Sequence, residues 1–227
     1  MNIKSIFEKT QTNSAKISIR KGNVILQNKL PHCGLVALKM AFDIMEIGAN
    51  ILVDDILNMA ISKGYSNKGE IFSANWLKQL FYHAGSQHVK AECQPFFTSA
   101  NDLLKSVVLD NSLILVPYDC GKDFSPILSN GQHAHWCLIV CFDEANIVDK
   151  HYIFSQVLLF STKYRTWKVS KTTKLIFRHP GLWKYSQLLA SNGQLYAPRE
   201  RDCHEFAFDD KGMESLRNKC VVVNKLL

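Results

Sequence analysis

Residues 31–45 read PHCGLVALKMAFDIM, and this stretch contains the pattern that decides the fold. Its apolar side chains recur at helical spacing, at Leu35, Leu38, Ala41, Phe42 and Met45. Pro31 stands just before this stripe and Gly48 just after it, where residues of these types favour the start and the end of a helix. The stretch therefore predicts a helix that begins near Cys33, ends before Gly48 and buries one face.

The sequence on either side predicts more helices first and strands later. Residues 54–63 and 73–84 repeat the helical spacing of apolar side chains. Residues 113–116, 135–142 and 152–160 are instead short apolar runs rich in residues that favour strands. Helical sequence followed by strand-rich sequence, with no linker between them, predicts an α+β fold.

The composition is that of a soluble globular protein, with 47% hydrophobic and 21% charged residues among 227. That length favours one large domain, and we divide the chain into a loose N-terminal lead-in over residues 1–20 and a single domain over residues 21–227. No apolar run is long enough for a signal peptide or a membrane span, so we expect a cytoplasmic protein. Seven cysteines, an odd number without CxxC pairs, are then expected to be reduced thiols.

The net charge is +7, and the basic residues are spread along the chain without a dense run. This distribution argues against a nucleic-acid-binding arm. It is compatible with attraction of an acidic partner through the summed electrostatic field.

Cys33 is the candidate nucleophile. A free thiol, with a pKa near about 8.5, is mostly protonated at neutral pH, whereas the thiolate is the reactive form. The unsatisfied N–H groups at a helix start, together with a neighbouring imidazole, would stabilise that thiolate. Gly34 would leave room there for a substrate backbone. The alternative, and the commoner case for a cysteine, is a small hydrophobic residue of the core.

Gln27 stands six residues before Cys33 and is a candidate oxyanion donor. Its side-chain amide, together with the backbone N–H of Cys33, would stabilise the negative charge of a tetrahedral intermediate. The alternative is an ordinary surface glutamine.

A histidine in the segment GQHAHWCLIV, residues 131–140, is the candidate base. His135 opens a buried strand after a glycine-containing loop, and a rigidly held imidazole suits an ion pair with a thiolate. His133 would point the same way on an extended segment, so either histidine fits by spacing. Zinc bound by His133, His135 and Cys137 is a less favoured alternative, because the usual spaced ligand pairs are missing.

The third catalytic residue, which would orient the imidazole, should be an acid or amide on the strand after His135. The spacing does not choose among three candidates, Asp149, Asn146 and Ser161.

Several blocks of the sequence occur in the order of a known family. They are CGLVALKMA (33–41), KGYSNKGEIFS (63–73), LVPYD (115–119), HAHW (133–136) and LWKYSQ (182–187). With Gln27 placed six residues before Cys33, these blocks resemble the C39-like branch of papain-fold cysteine peptidases. More narrowly, they resemble the actin maturation protease family, also called actin aminopeptidases.

The resemblance implies a papain-like fold in which a helical N-terminal half packs on an antiparallel sheet. It implies a thiol aminopeptidase without a cofactor that removes the N-acetylated first residue of actin, Met or Cys, and exposes the acidic mature N-terminus. Cys33 would be the nucleophile, His135 the base and Gln27 the oxyanion donor. Two other functions stay open, a papain-fold thiol hydrolase of another protein terminus and a catalytically decayed actin-binding protein.

The expected partner is the actin N-terminus. We do not expect the protein to bind nucleic acid or a membrane. Some members of the family carry a proline-rich N-terminal segment suited to profilin. No proline precedes Pro31 here, so we do not expect profilin to dock by that route, although it stays a candidate partner. Residues 163–181 are longer and more basic than the resemblance implies.

Overall fold

The computed structural model describes residues 17–19, 31–48, 50–85, 88–143, 152–157 and 181–226. Six helices lie in these ranges: α1 (Cys33–Met45), α2 (Val53–Ser62), α3 (Ala74–Gly85), α4 (Ala100–Val108), α5 (Tyr185–Gly193) and α6 (Glu200–Glu205). Residues Gly212–Ser215 form a short 3-10 helix.

Helix α1 begins at Cys33, as the sequence predicts, and ends at Met45. It stops before Gly48 because the backbone of Glu46 already turns into the left-handed region, with φ of 56°. The side chains of Leu38 and Phe42 are fully buried, and burial of each contributes about 1.5–3 kcal/mol. Helices α2 and α3 differ from the predicted ranges by one residue at each end.

In the described part of the chain, one antiparallel sheet contains seven strands: β1 (Ile17–Ile19), β2 (Val89–Pro95), β3 (Leu113–Asp119), β4 (Ala134–Asp143), β5 (Tyr152–Val157), β6 (Gly181–Lys184) and β7 (Lys219–Lys225). Their order is β2-β7-β3-β4-β5-β6, and β1 pairs with the end of β4. The C-terminal strand β7 therefore lies between β2 and β3.

Strand β3 continues through Pro117, where the sequence predicted its end. On β3, strand β7 pairs with Leu113–Leu115 and no further. Among the described residues, the rest of β3 therefore has a neighbouring strand on one side, which is β4. A proline is tolerated in a strand where one side has no ladder to complete. The carbonyl of Pro117 instead accepts a hydrogen bond of 2.8 Å from the Asn192 side chain on α5.

The two faces of the sheet are covered by different helices. Leu113, Leu115 and Trp136 pack with α1, α2 and α3, whereas the alternating residues of β3 pack with α4 and α5 on the other face. Helix α1 lies directly against β4, and this contact brings the starts of the two elements together.

The predicted α+β fold, with its helical N-terminal half on an antiparallel sheet, is confirmed. The proposed division at residues 20 and 21 stays a prediction. Within the described part of the chain, no helix combines the length and the apolar character that a membrane crossing requires.

Candidate active site

A cleft of about 560 Å³ opens where the start of α1 meets the start of β4. Cys33 and residues 70–72 line one wall. Residues 120–122 and 132–136, which include His135, line the opposite wall. The fold therefore brings the predicted nucleophile and the predicted base to one cavity from positions 102 residues apart in the chain.

Cys33 is the first residue of α1 and is half-buried. The N-cap residue, His32, makes no side-chain capping bond, so the first N–H groups of the helix can act on the Cys33 sulfur. Burial raises the pKa of the Cys33 thiol to about 11, while the backbone N–H groups of Trp136, Gly34 and Cys33 itself oppose this rise. The helix start thus stabilises the thiolate as expected, but its effect is smaller than that of desolvation.

The hydrogen-bonding contact with the Trp136 backbone places the sulfur beside the residue that follows His135. His135 itself is buried and its ring packs edge-on against Tyr118, with the ring centroids 5.8 Å apart. His133 also lines the cleft, but it lies in the turn before β4 and is exposed. Its Nδ1 is 3.0 Å from the Ser129 hydroxyl. The burial and the ring contact favour His135 as the fixed imidazole.

Gly34 has a different role from the one expected. A Cβ there would lie 3.1 Å from Trp136 Cδ1 and 3.2 Å from Ile71 Cβ, so core side chains occupy the space beside it. The Trp136 indole N–H also donates to the Ile71 carbonyl at 2.8 Å. Gly34 therefore allows α1 to approach β4 closely, and substrate does not use this space.

The wall around Cys33 is shaped by the turn at residues 66–70. Gly69 has φ of +109°, and a Cβ there would be 1.9 Å from Cδ2 of His32. The His32 Nε2 is 3.1 Å from the Lys68 carbonyl oxygen. The buried carboxylate of Glu70 accepts hydrogen bonds from the backbone N–H groups of Asn67 and Lys68, both at 2.7 Å. The residue before the nucleophile is thus packed against a fixed turn.

The opposite wall is organised by Asp119, which the sequence did not single out. Its fully buried carboxylate accepts hydrogen bonds from the backbone N–H groups of Ser129 (3.0 Å), Gly131 (2.7 Å) and His133 (2.8 Å). The side-chain amide of Gln194 donates to the same carboxylate. Asp119 therefore holds the loop that leads into β4 and His135. The one sequence signal for it is an acid at the end of an apolar strand, directly before the histidine-containing loop.

The other predicted site residues lie outside the described residues. They are Gln27, the candidate oxyanion donor, and Asp149, Asn146 and Ser161, the candidates for orienting the imidazole. Most of the basic segment 163–181 is also outside, so the roles assigned to these positions stay predictions.

The zinc alternative gains no support in the described part of the chain, where no group of three or more His, Cys, Asp and Glu side chains is arranged to hold a metal ion. The Cys137 thiol instead lies in the core, 3.4 Å from the Val116 carbonyl oxygen. The six cysteines that the structure describes are free thiols.

Residues 23–142 match the model of a protein family described as "Actin maturation protease-like, C-terminal domain". The actin maturation protease of Drosophila melanogaster is 29% identical over 205 residues, which cover 86% of this chain and 67% of that protein. The protein of the same name from Danio rerio is 30% identical over 108 residues, 48% of this chain and 35% of the relative. This chain thus matches about two thirds of the fly relative and about one third of the fish relative.

Among solved structures, a C39-like peptidase from Bacillus anthracis superposes with a TM-score of 0.52 at 10% sequence identity. The match covers 93% of this chain and 98% of the bacterial one. At this identity the likeness concerns the fold, and it confirms the predicted C39-like architecture.

Proposed function

The chain belongs to the actin maturation protease-like family, and on that premise we propose that it is a cysteine aminopeptidase that removes the N-acetylated first residue of actin. Its fold and the names of its relatives support a peptidase. The cysteine chemistry, the restriction to one terminal residue and the actin substrate are the further steps of the proposal.

The observation that carries the proposal is the meeting of Cys33 and His135 in one cleft. Cys33 opens a helix whose N-cap makes no side-chain capping bond, and its sulfur lies against the backbone that follows His135. A nucleophile at a helix start beside a fixed imidazole is the arrangement that thiol hydrolases need.

The raised pKa of Cys33 bears on how the reaction begins. With a pKa of about 11, the thiol is protonated at neutral pH before substrate binds. We propose that His135 accepts this proton as the sulfur attacks the carbonyl carbon of the first residue. The resulting oxyanion would receive hydrogen bonds from the Cys33 backbone N–H and, as the sequence suggests, from Gln27.

The tetrahedral intermediate then collapses and the peptide C–N bond breaks. His135 returns its proton to the leaving amine, which becomes the new N-terminus of actin. Water, deprotonated by His135, hydrolyses the thioester and releases the acetylated amino acid and the free thiol. The cycle consumes one water and needs no cofactor.

Three acidic and three basic side chains line the cleft, so the support for an acidic substrate comes from one exposed cation among them rather than from the charge of the cleft as a whole. Lys122 lines the cleft and is exposed, and among the described residues it has no ion-pair partner. An unpaired ammonium at this position can attract a carboxylate that follows the scissile bond, and the net charge of +7 acts in the same direction.

The proposal is tested with synthetic actin N-terminal peptides that begin with acetyl-Met-Asp or acetyl-Cys-Asp, followed by mass spectrometry. The wild-type protein should release the acetylated first residue, and Cys33→Ala should release none. Cys93→Ala is the matched control, because Cys93 is also half-buried but does not line the cleft. Equal release by wild type and Cys33→Ala would refute the mechanism.

The same experiment separates the alternatives. Binding of the peptides without release by the wild-type protein would support a decayed actin-binding protein. Release from unrelated acetylated termini at equal rates would indicate a thiol hydrolase of broader specificity.

A further inference from the structure

The segment at residues 196–208, which we call the strap, bridges the cleft. It contains α6, which has no buried residue and therefore is not held by packing into the core. Four residues in the C-terminal half of the strap nevertheless line the cleft. They are Arg201, Asp202, Glu205 and Phe206. The position of the strap is set by its two ends.

The first end is bound to the wall that carries His135. The backbone N–H groups of Tyr196 and Ala197 donate to the Asn130 carbonyl at 3.0 and 2.7 Å. Arg199 donates through Nε to the Gln132 carbonyl at 2.5 Å. These acceptors belong to the loop that Asp119 holds, so this anchor is rigid.

The second end is bound to the wall that carries Cys33. The side chains of Asn67 and Lys68 donate to Glu205 at 3.1 and 2.9 Å, the first to its carbonyl and the second to its carboxylate. The backbone N–H of Ala207 donates to the Glu70 carboxylate at 2.9 Å. Phe72 also packs against the rings of Phe206 and Phe208, at 5.9 and 4.5 Å between centroids.

The anchors place a helical turn across the cleft. The six residues of α6 span about 9 Å, and both ends of the strap are bound to residues of the cleft walls. Because strap residues line the same cleft as Cys33 and His135, a polypeptide that extended through the cleft past these two residues would meet this turn. The exposed ion pair Lys68–Glu205 contributes little to folding stability, so it can be removed without unfolding the protein.

We propose that the strap closes the cleft on the amino-terminal side of the scissile bond, so that the enzyme accepts a chain terminus with one blocked residue and excludes internal peptide bonds. This inference rests on the proposed function, in which the short end of the substrate is an acetylated residue. The long end, the rest of the substrate protein, must leave the cleft on the side that the strap does not close.

The test compares two peptides with the same scissile bond. One begins with acetyl-Met-Asp, and the other carries four alanines between the acetyl group and Met, which add about 13 Å of extended chain. We expect wild-type kcat/KM to be at least about 100-fold higher for the short peptide.

Two variants then loosen the strap. The first replaces residues 200–205 with six glycine and serine residues. The second, Asn67→Ala with Lys68→Gln, removes the side-chain bonds to Glu205 and changes no residue that lines the cleft. The glycine–serine replacement should lower the ratio of short-peptide to long-peptide kcat/KM by about tenfold or more. The double substitution leaves the Ala207–Glu70 bond and the Phe72 contacts in place and should lower the ratio by about two- to fivefold. Lys90→Gln is the matched control, because it also breaks an exposed Lys–Glu pair but on β2, and its ratio should equal that of the wild type.

Three outcomes are distinct. A ratio near one for the wild-type enzyme would overturn the strap inference and leave the peptidase intact. If the wild-type ratio of kcat/KM is above 100 and neither folded variant lowers it, the strap inference would also be overturned. Another part of the protein would then exclude the long peptide. Failure of the wild-type enzyme to cleave either peptide would overturn the proposed function and the inference with it. Circular dichroism melting of each variant confirms that it is folded.

Discussion

Replacing Asp119 with asparagine should destabilise the protein and slow catalysis, although Asp119 does not itself line the cleft. The buried carboxylate accepts three backbone N–H bonds from the loop before β4. An asparagine side chain has one acceptor oxygen and directs an NH₂ group toward at least one of those N–H donors. In the favourable orientation, the amide oxygen of the asparagine takes the place of the Asp119 oxygen that accepts from both Ser129 and Gly131. The NH₂ group then faces the N–H of His133, and that hydrogen bond is lost.

The magnitude follows from these contacts. The loss of one hydrogen bond to a charged acceptor costs about 1.5–3 kcal/mol, and removal of the charge weakens the remaining bonds by roughly half. We expect the free energy of unfolding to fall by about 3–6 kcal/mol. Asp123→Asn is the matched control in the same loop region. Its carboxylate is exposed and bonds only to Ser125 among the described residues, so its loss should cost under about 1 kcal/mol.

Urea denaturation measures the stability of both variants, and peptide hydrolysis measures kcat and KM. Because His133 is two residues from His135, release of its N–H should displace the imidazole and lower kcat by about tenfold or more, with a smaller change in KM. Equal urea midpoints and equal kcat for Asp119→Asn and Asp123→Asn would refute the reasoning, since the loop would then be held without the carboxylate.

Three further results are expected. Since burial raises the pKa of Cys33 to about 11, its alkylation by iodoacetamide in the substrate-free enzyme should still accelerate above pH 9, and a plateau below pH 8 would show that pairing with an imidazolium outweighs desolvation. Lys122→Gln should raise KM about two- to fivefold for peptides with an acidic residue after the scissile bond, and an equal rise for a neutral peptide would contradict a charge contact. Gly69→Ala should lower the free energy of unfolding by more than about 2 kcal/mol, because its Cβ would overlap the His32 ring. Gly64→Ala, also at positive φ but with open space around it, should cost about 1 kcal/mol, and equal losses for the two would show that the ring yields easily.

The parts of the fold that depend on local pattern were predictable. Helix α1 follows from a stripe of apolar residues at helical spacing, and its start at Cys33 follows from the change of pattern after Pro31. The strands at 113–116 and 135–142 follow from short apolar runs. These signals are local because a helix or strand must bury one face wherever it packs.

The features of the fold and of the site that depend on contacts between residues distant in the sequence were not predictable. Pro117 continues a strand because β7 leaves that side of β3 open. Gly34 is small because Trp136 and Ile71 pack against it. Asp119 becomes the centre of the site's second wall because it meets three N–H groups that follow it by 10 to 14 residues. A local pattern can at most mark such a residue, as the acid at the end of an apolar strand marks Asp119, because each of these roles is defined by contact across the fold.

The position of β7 has a consequence for the timing of folding. This strand, at residues 219–225, lies between β2 and β3, so the sheet stays split until that strand is made. At about 5–20 residues per second, synthesis of the residues between the end of β4 and the start of β7 takes roughly 4–15 s. During that interval the nascent chain contains β3 and β4 but lacks the strand that joins β2 to β3. The face of the sheet on which α1, α2 and α3 pack is therefore complete only after β7 has been synthesised.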